Sequence, residues 1–192
     1  MALSTYRSSF MRLFWKKSAL IVACILVGLV ITGGFLLPEA LIIPVMGATS
    51  ADWNSRSFWF SPWGKSGVHK GIDIFAKEGT PVIAASSGLV VNAGSTPGGG
   101  NVVSVLGPKW RVHYYAHLKT IKVNDGEFVN QGKEIGAVGT TGNAVGKAPH
   151  LHYAIITQIP YIWQFKMGKH GIDRMFFLNP DGKLPHGAGR GN

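Results

Sequence analysis

Two histidines stand two residues apart in "PHLHYAII", Pro149 to Ile156, inside a run that otherwise reads as a core-packing strand. Successive side chains on a strand face opposite ways. Leu151, Tyr153 and Ile155 then share an apolar face, and His150 and His152 share the other, roughly 6–7 Å apart. Two imidazoles so placed suit a metal site or an acid–base pair; on a solvated edge strand they would serve neither. A second stretch, "HKGID", sets His69 four residues before Asp73. On a straight strand these two would stand roughly 13 Å apart, and a bend at Gly71 would bring them together. A further histidine, His117, lies in "YYAHL". The one cysteine, Cys24, sits in an N-terminal apolar run. Cysteine-based zinc sites and intrachain disulfides are therefore excluded, and any metal must rest on His, Asp or Glu.

Histidine nitrogens and a carboxylate are good ligands for zinc. His69, Asp73 and one member of the His150/His152 pair would supply three ligands. Catalytic zinc sites keep three and leave the fourth position to water, whose pKa falls to about 7 there. The other member of the pair and His117 would then transfer protons or stabilise an oxyanion. No HExxH motif and no glutamate accompany these histidines, so a histidine is the natural base. His113 and Tyr115 precede His117 by four and two residues, and strict alternation predicts that all three share a face. For His113 the weightier reading is a structural or exposed role, with the groove edge as the alternative, and Tyr115 could donate a hydrogen bond to a reacting oxygen. "HGID", His170 to Asp173, echoes the first motif at shorter spacing with only His186 of the tail as a partner, and reads as chance.

These residues need a frame. The chain has 192 residues, 26 glycines and only 15% charged residues, which favours a turn-rich β domain over a helical bundle. "TPVIAA", "GLVVNAG", "NVVSVLG", "WRVHYYAHL", "KEIGAVG" and "HLHYAII" read as strands separated by turns such as "PGGG" and "NDG". The expected fold is mainly β, an antiparallel sandwich or barrel. No long internal repeat is present. Aromatics crowd "ADWNSRSFWFSPWG", which would pack the core, line a groove or sit at the lipid interface.

Ahead of this domain, Arg7, Arg12, Lys16 and Lys17 precede an uncharged stretch from Ser18 to Leu37. As a helix, Ala19 to Leu37 would span about 28 Å, close to a hydrocarbon core of about 30 Å. The flanking cations predict a cytoplasmic N-terminus and an exported domain. The expected division is a basic cytoplasmic arm (1–17), a single membrane span (18–38) contacting the lipid bilayer, and a linker with aromatic lead-in (39–63). The catalytic domain (64–157) and a C-terminal extension (158–192), disordered from Lys183, would follow. A cleaved signal peptide ending near Gly47-Ala48 is the alternative, and it exports the domain equally. Four of the 19 Lys and Arg precede the span and all nine acids follow it, so the exported part carries +6. That charge suits an anionic cell wall or membrane surface. Export and the lack of a basic helix argue against nucleic acid.

"GVHKGIDIFAKEGTPVIAASSGLV", "YYAHL" and "NDGEFVNQGKEIGAVGTTGNAVGKAPHLHY" together resemble the lysostaphin-type, or LytM-like, zinc endopeptidases of bacterial cell walls, over about residues 64–156. The resemblance implies a β catalytic domain of the duplicated hybrid motif type and one zinc ion per chain, bound by His69, Asp73 and His152. His117 and His150 match the family's catalytic histidines. The implied substrates are peptide bonds in peptidoglycan stem peptides or cross-bridges. The implied location is the bacterial cytoplasmic (inner) membrane, single-pass, with the catalytic domain facing periplasm or wall. Many members follow H-x-H with an aromatic and a glutamate, whereas Tyr153 is followed here by Ala154. Some relatives lack ligands and act as activators of other wall hydrolases; this chain keeps all five residues. "GEFVNQGKEIG" also resembles lipoyl- and biotin-carrier domains, but no lysine flanked by methionines accompanies it.

Overall fold

A computed structural model describes residues 2–186, with side chains from Trp15 onward. The chain divides into two compact units, one ending at Leu37 and one beginning at Pro38. In the first, a single helix α1 (Ala2–Leu36) runs through the basic arm and the apolar stretch without a break. Its segment Trp15–Leu36, 22 residues, is long and apolar enough to cross a membrane. Leu, Ile, Val and Ala dominate it, and Lys16 and Lys17 near its start are its only charges.

Among the described residues, the second unit is built on nine antiparallel strands. In chain order they are β1 (Ile72–Phe75), β2 (Pro81–Ile83), β3 (Gly88–Thr96), β4 (Gly100–Leu106), β5 (Arg111–Ile121), β6 (Phe128–Val129), β7 (Glu134–Val138), β8 (His150–Thr157) and β9 (Phe177–Leu178). Six of them coincide with the six strand-like runs; β1 begins within the "HKGID" stretch, and β6 and β9, of two residues each, are too short to show a period of two. The main path runs β1-β8-β5-β4-β3-β6, and β2 joins through β7. Strand β5 serves two neighbours on one side. Arg111 to Ala116 pair with β8, whereas Leu118 to Ile121 pair with β7. His117 sits at the switch, where the register against β4 also shifts. The strand changes partner there, and the core includes Ile72, Ile74, Val103, Tyr115, Leu118, Ile135, Leu151, Tyr153 and Ile155. Each fully buried aliphatic side chain contributes about 1.5–3 kcal/mol.

Two expected boundaries differ. The stretch after Pro38 is docked rather than a free linker. Ile42 N–H donates to the Ala85 carbonyl, Met46 N–H to Pro81, and Val45 pairs with Val82 and is buried. Proline prevents helix at Pro38 and Pro44 but leaves extended chain free to add to a sheet edge. Glu39 is buried with its carboxylate on Arg111. Toward the other end, a one-turn helix α2 (Gly171–Arg174) precedes β9, which pairs with β8. The chain from Lys183 is ordered as far as described. Lys183 and Leu184 N–H groups reach the Pro180 carbonyl, and Leu184 enters the core. Residues 187–192 of the expected disordered end lie outside the described residues.

Candidate metal centre and cleft

Strand β8 alternates as its sequence predicts. Leu151, Tyr153 and Ile155 are fully buried in the core, and His150 and His152 face a cleft of about 710 Å³. Strand β1 lies antiparallel beside it with Asp73 opposite His152 and Phe75 opposite His150. Cross-strand partners share a face, so this register aims the Asp73 carboxylate at His152. His69 precedes β1, and its backbone is held by Trp59 and Phe60.

Three donor atoms converge there. His69 Nε2 lies 3.0 Å from Asp73 Oδ1 and 3.0 Å from His152 Nδ1, and His152 Nδ1 lies 2.9 Å from Asp73 Oδ1. His69 Nδ1 donates to the Ser57 carbonyl at 3.1 Å. A carbonyl only accepts, so that proton belongs on Nδ1, and Nε2 of the neutral ring offers a lone pair to the triangle. The Trp63 ring stacks on His69 at 4.1 Å between centroids and holds its plane. Burial alone would raise the Asp73 pKa; with His152 and His69 protonated, their hydrogen bonds and charge overcome it and hold the carboxyl well below the usual range. Burial pushes the His152 pKa down against the pull of Asp73, which favours the neutral ring a metal needs. Two imidazole nitrogens and one carboxylate oxygen form a donor set that zinc accepts. Tetrahedral ligands at their normal bond lengths stand roughly 3.3–3.5 Å apart, so a slight opening of the triangle admits the ion.

Gly71 lets the strands meet. A Cβ there would lie 2.4 Å from the Tyr153 carbonyl oxygen and 3.0 Å from the His152 ring. The requirement is close approach of β1 to β8; Gly71 is not among the glycines of positive φ.

His117 has φ of 66°, in the left-handed region, and its N–H donates to the Gly99 carbonyl at 2.8 Å. This bulge breaks the alternation of β5, so that Ala116 and His117 both line the cleft. The His117 and His150 ring centroids stand 5.1 Å apart. Each ring is oriented from behind. His117 Nδ1 donates to the Thr141 carbonyl at 2.9 Å and His150 Nδ1 to the Ala148 carbonyl at 2.7 Å. Both neutral rings therefore carry an unprotonated Nε2. Burial, then the nearby His152 and His150, push the His117 pKa down to about 4. His150 Nε2 lies 3.9 Å from Asp73 Oδ2.

The same bulge corrects the shared face expected for His113, Tyr115 and His117: His113 takes the structural role, and Tyr115 does not reach the groove. Both side chains are fully buried and point into the core, opposite the cleft. The Tyr115 hydroxyl accepts from the Ala85 N–H at 2.8 Å, and His113 Nδ1 lies 2.7 Å from the Tyr153 hydroxyl. Strict alternation fails because the extra residue at His117 reverses the parity. Tyr114 lines the cleft instead, as does Trp63 from the aromatic stretch. A period-two reading that allowed a bulge before "HL" would have found Tyr114. The "HGID" echo stays apart from the His69–Asp73–His152 triangle. Asp173 pairs with Lys70 at 2.8 Å, and His186 Nε2 donates to the Asp181 carbonyl at 2.7 Å.

Comparison with known proteins reaches the same region. The model of peptidase family M23 matches residues 67–162, which is half of the chain. Lysostaphin of Staphylococcus simulans is 39% identical over 113 residues, covering 54% of this chain and 22% of its own. The peptidoglycan DD-endopeptidase ShyC of Vibrio cholerae is 38% identical over 93 residues, covering 48% of this chain and 21% of its own. The chain thus spans about a fifth of the length of these curated relatives. Among solved structures, the catalytic domain of a mutant of the prophage-encoded M23 protein EnpA from Enterococcus faecalis has a TM-score of 0.53 at 25% identity, covering 73% of this chain and 95% of that one. Sequence and fold agree, and the chain belongs to peptidase family M23, with the lysostaphin-type enzymes.

Proposed function

We propose that this chain is a zinc endopeptidase of bacterial peptidoglycan, with His69, Asp73 and His152 as ligands of one zinc ion and His117 and His150 as the catalytic histidines. The observation that carries the reading is the convergence of Nε2, Oδ1 and Nδ1 within 3.0 Å at the floor of a cleft that both other histidines line. A zinc ion held there would supply Lewis acidity to a scissile carbonyl and a water of lowered pKa. His117, with Nδ1 committed to Thr141, is the base that takes a proton from the attacking water at Nε2. As the C–N bond breaks, that same proton is delivered to the leaving amine, from His117 directly or through the Nε2 of His150, which its bond to Ala148 fixes beside His117. Fixed rings need no reorganisation during reaction. The cleft walls carry Lys65 and Lys147, and Lys70 paired with Asp173, with Asp73 as the only acid among the described lining residues. That balance suits stem peptides bearing free carboxylates over neutral glycine bridges. The N-terminal helix would anchor the chain in the inner membrane, basic end in the cytoplasm, and present the domain to the wall.

Digestion of purified peptidoglycan by the zinc-loaded chain tests this, with His117→Ala, His150→Ala and His152→Ala alongside. New amine termini and loss of cross-linked dimers, abolished in all three variants, are expected. Intact walls of both stem-peptide and glycine-bridge chemistry, from a protein with a full complement of zinc, would overturn it in favour of a silent wall-binding or activating role.

A further inference from the structure

The segment between β8 and β9 carries apolar side chains where a water-facing loop would carry polar ones. Trp163 is 74% exposed, Ile162 70% and Met167 93%, with Ile159, Phe165 and Ile172 also open. The loop is pinned rather than slack. Tyr161 N–H donates to the Met175 carbonyl at 2.8 Å, and the Tyr161 hydroxyl accepts from Arg111 Nη2 at 3.0 Å. The Trp163 ring packs edge-on against Tyr161 at 4.8 Å. A rigid support therefore holds these side chains outward. Residues 158–172 contain Lys166 and Lys169 and no acid. The next acid, Asp173, is already paired with Lys70.

Exposed apolar clusters rimmed by cations mark interaction surfaces. Tryptophan, aliphatic side chains and lysine together match the boundary of an anionic bilayer, where rings and alkyl groups enter and ammonium groups meet phosphates. The same chain carries a helix apolar enough to cross a membrane. We propose that residues 159–172 form a membrane-interface contact, with Ile162, Trp163 and Met167 seated at the headgroup–acyl boundary of an anionic bilayer and Lys166 and Lys169 on its phosphates. The contact is independent of the reaction proposed for the cleft. It would hold the domain against the lipid surface and restrict its reach to substrate near the membrane.

The test uses the full chain with Cys24→Ser and Met167→Cys, labelled at residue 167 with a polarity-sensitive fluorophore. It is reconstituted in phosphatidylcholine vesicles with and without 30% phosphatidylglycerol, on the order of a natural anionic surface. Met167 touches too little for its replacement to disturb the fold. The expected result is blue-shifted emission, quenched by shallow brominated lipid, in the anionic vesicles. The same label on Asn92→Cys, an exposed site on β3, should stay water-like. Lys166→Gln and Lys169→Gln should each lower the ratio of immersed to aqueous probe about fivefold, the equivalent of ~1 kcal/mol per lysine at an anionic surface. Water-like emission at residue 167 in anionic vesicles would overturn the proposal. So would an equal shift at residue 92, or a shift lost on diluting protein in lipid, which would indicate self-association.

Discussion

Replacing Gly71 with alanine isolates the step that brings the ligand-bearing strands together. The added Cβ would sit 2.4 Å from the Tyr153 carbonyl oxygen, about 1 Å inside the 3.4 Å at which ordinary contact begins. The obstacle is backbone, so no rotamer change relieves it; β1 must move away from β8 by about that amount. Overpacking of this kind costs about 1–3 kcal/mol. For a domain of this size that corresponds to a Tm lower by roughly 3–10 °C. The same displacement carries Asp73 away from His152, its partner across the two strands. Changes that mis-aim a metal ligand typically cost about 10–100-fold in metal affinity. Chelator competition for zinc and thermal unfolding of the apo protein read the two effects separately. Gly94→Ala is the control, because a Cβ there meets nothing within 4 Å. Wild-type zinc affinity and wild-type Tm in Gly71→Ala would refute the claim that close approach at this glycine sets the metal triangle.

The remaining predictions separate roles within the site and its support. His152→Ala and Asp73→Ala should abolish stoichiometric zinc, whereas His117→Ala and His150→Ala should keep it and lose about 10²–10⁴ in kcat; metal analysis beside wall digestion checks both halves, and zinc loss in His117→Ala would remove it from the proton-transfer role. Tyr115→Phe should cost about 1–3 kcal/mol in urea unfolding, because it leaves the buried Ala85 N–H without an acceptor, while activity per folded molecule holds; a large activity loss at unchanged stability would return Tyr115 to the cleft. His113 gives a pH dependence. Burial, then the Arg111 cation, lower its pKa from 6.5 to about 4; Glu39, 3.7 Å from its Nε2, pulls the other way but is itself paired with Arg111. The unfolded state binds the proton first, so this contribution is complete above pH 6.5 and is lost as pH falls toward 4, by up to about 3 kcal/mol. Urea unfolding of wild type and His113→Gln between pH 7.5 and 4.5 should show a flatter profile in the variant, and parallel profiles would count against it.

Much of the β domain is legible because its strands announce themselves. Alternation in "HLHYAII" is unbroken, so the face shared by His150 and His152 follows from pleat geometry alone. The two-residue strands β6 and β9 leave too few residues for a period to show, and their pairing, like that of β1, comes from long-range contacts. The stretch from Glu39 reads as a linker because its prolines exclude a helix, yet its extended backbone finds partners at Pro81 and Ala85. Nothing local distinguishes an extended linker from an extended edge segment; only the presence of an open edge does.

The residue types and spacings by themselves determined the donor chemistry: nitrogen and carboxylate ligands, no thiolate, and one histidine pair on one strand face. They also determined the apolar N-terminal run. The tertiary structure decided which atoms meet. The β1–β8 register sets Asp73 against His152, a contact 79 residues apart in the chain. The bulge at His117 reverses the parity of β5, sending Tyr115 and His113 into the core and Tyr114 into the cleft. Hydrogen bonds from the Nδ1 atoms of His69, His117 and His150 to distant or neighbouring carbonyls fix which ring nitrogen is free to act. The physical reason is that side-chain type is a property of one residue, whereas register, bulges and tautomers are settled by partners that only folding brings within hydrogen-bonding distance.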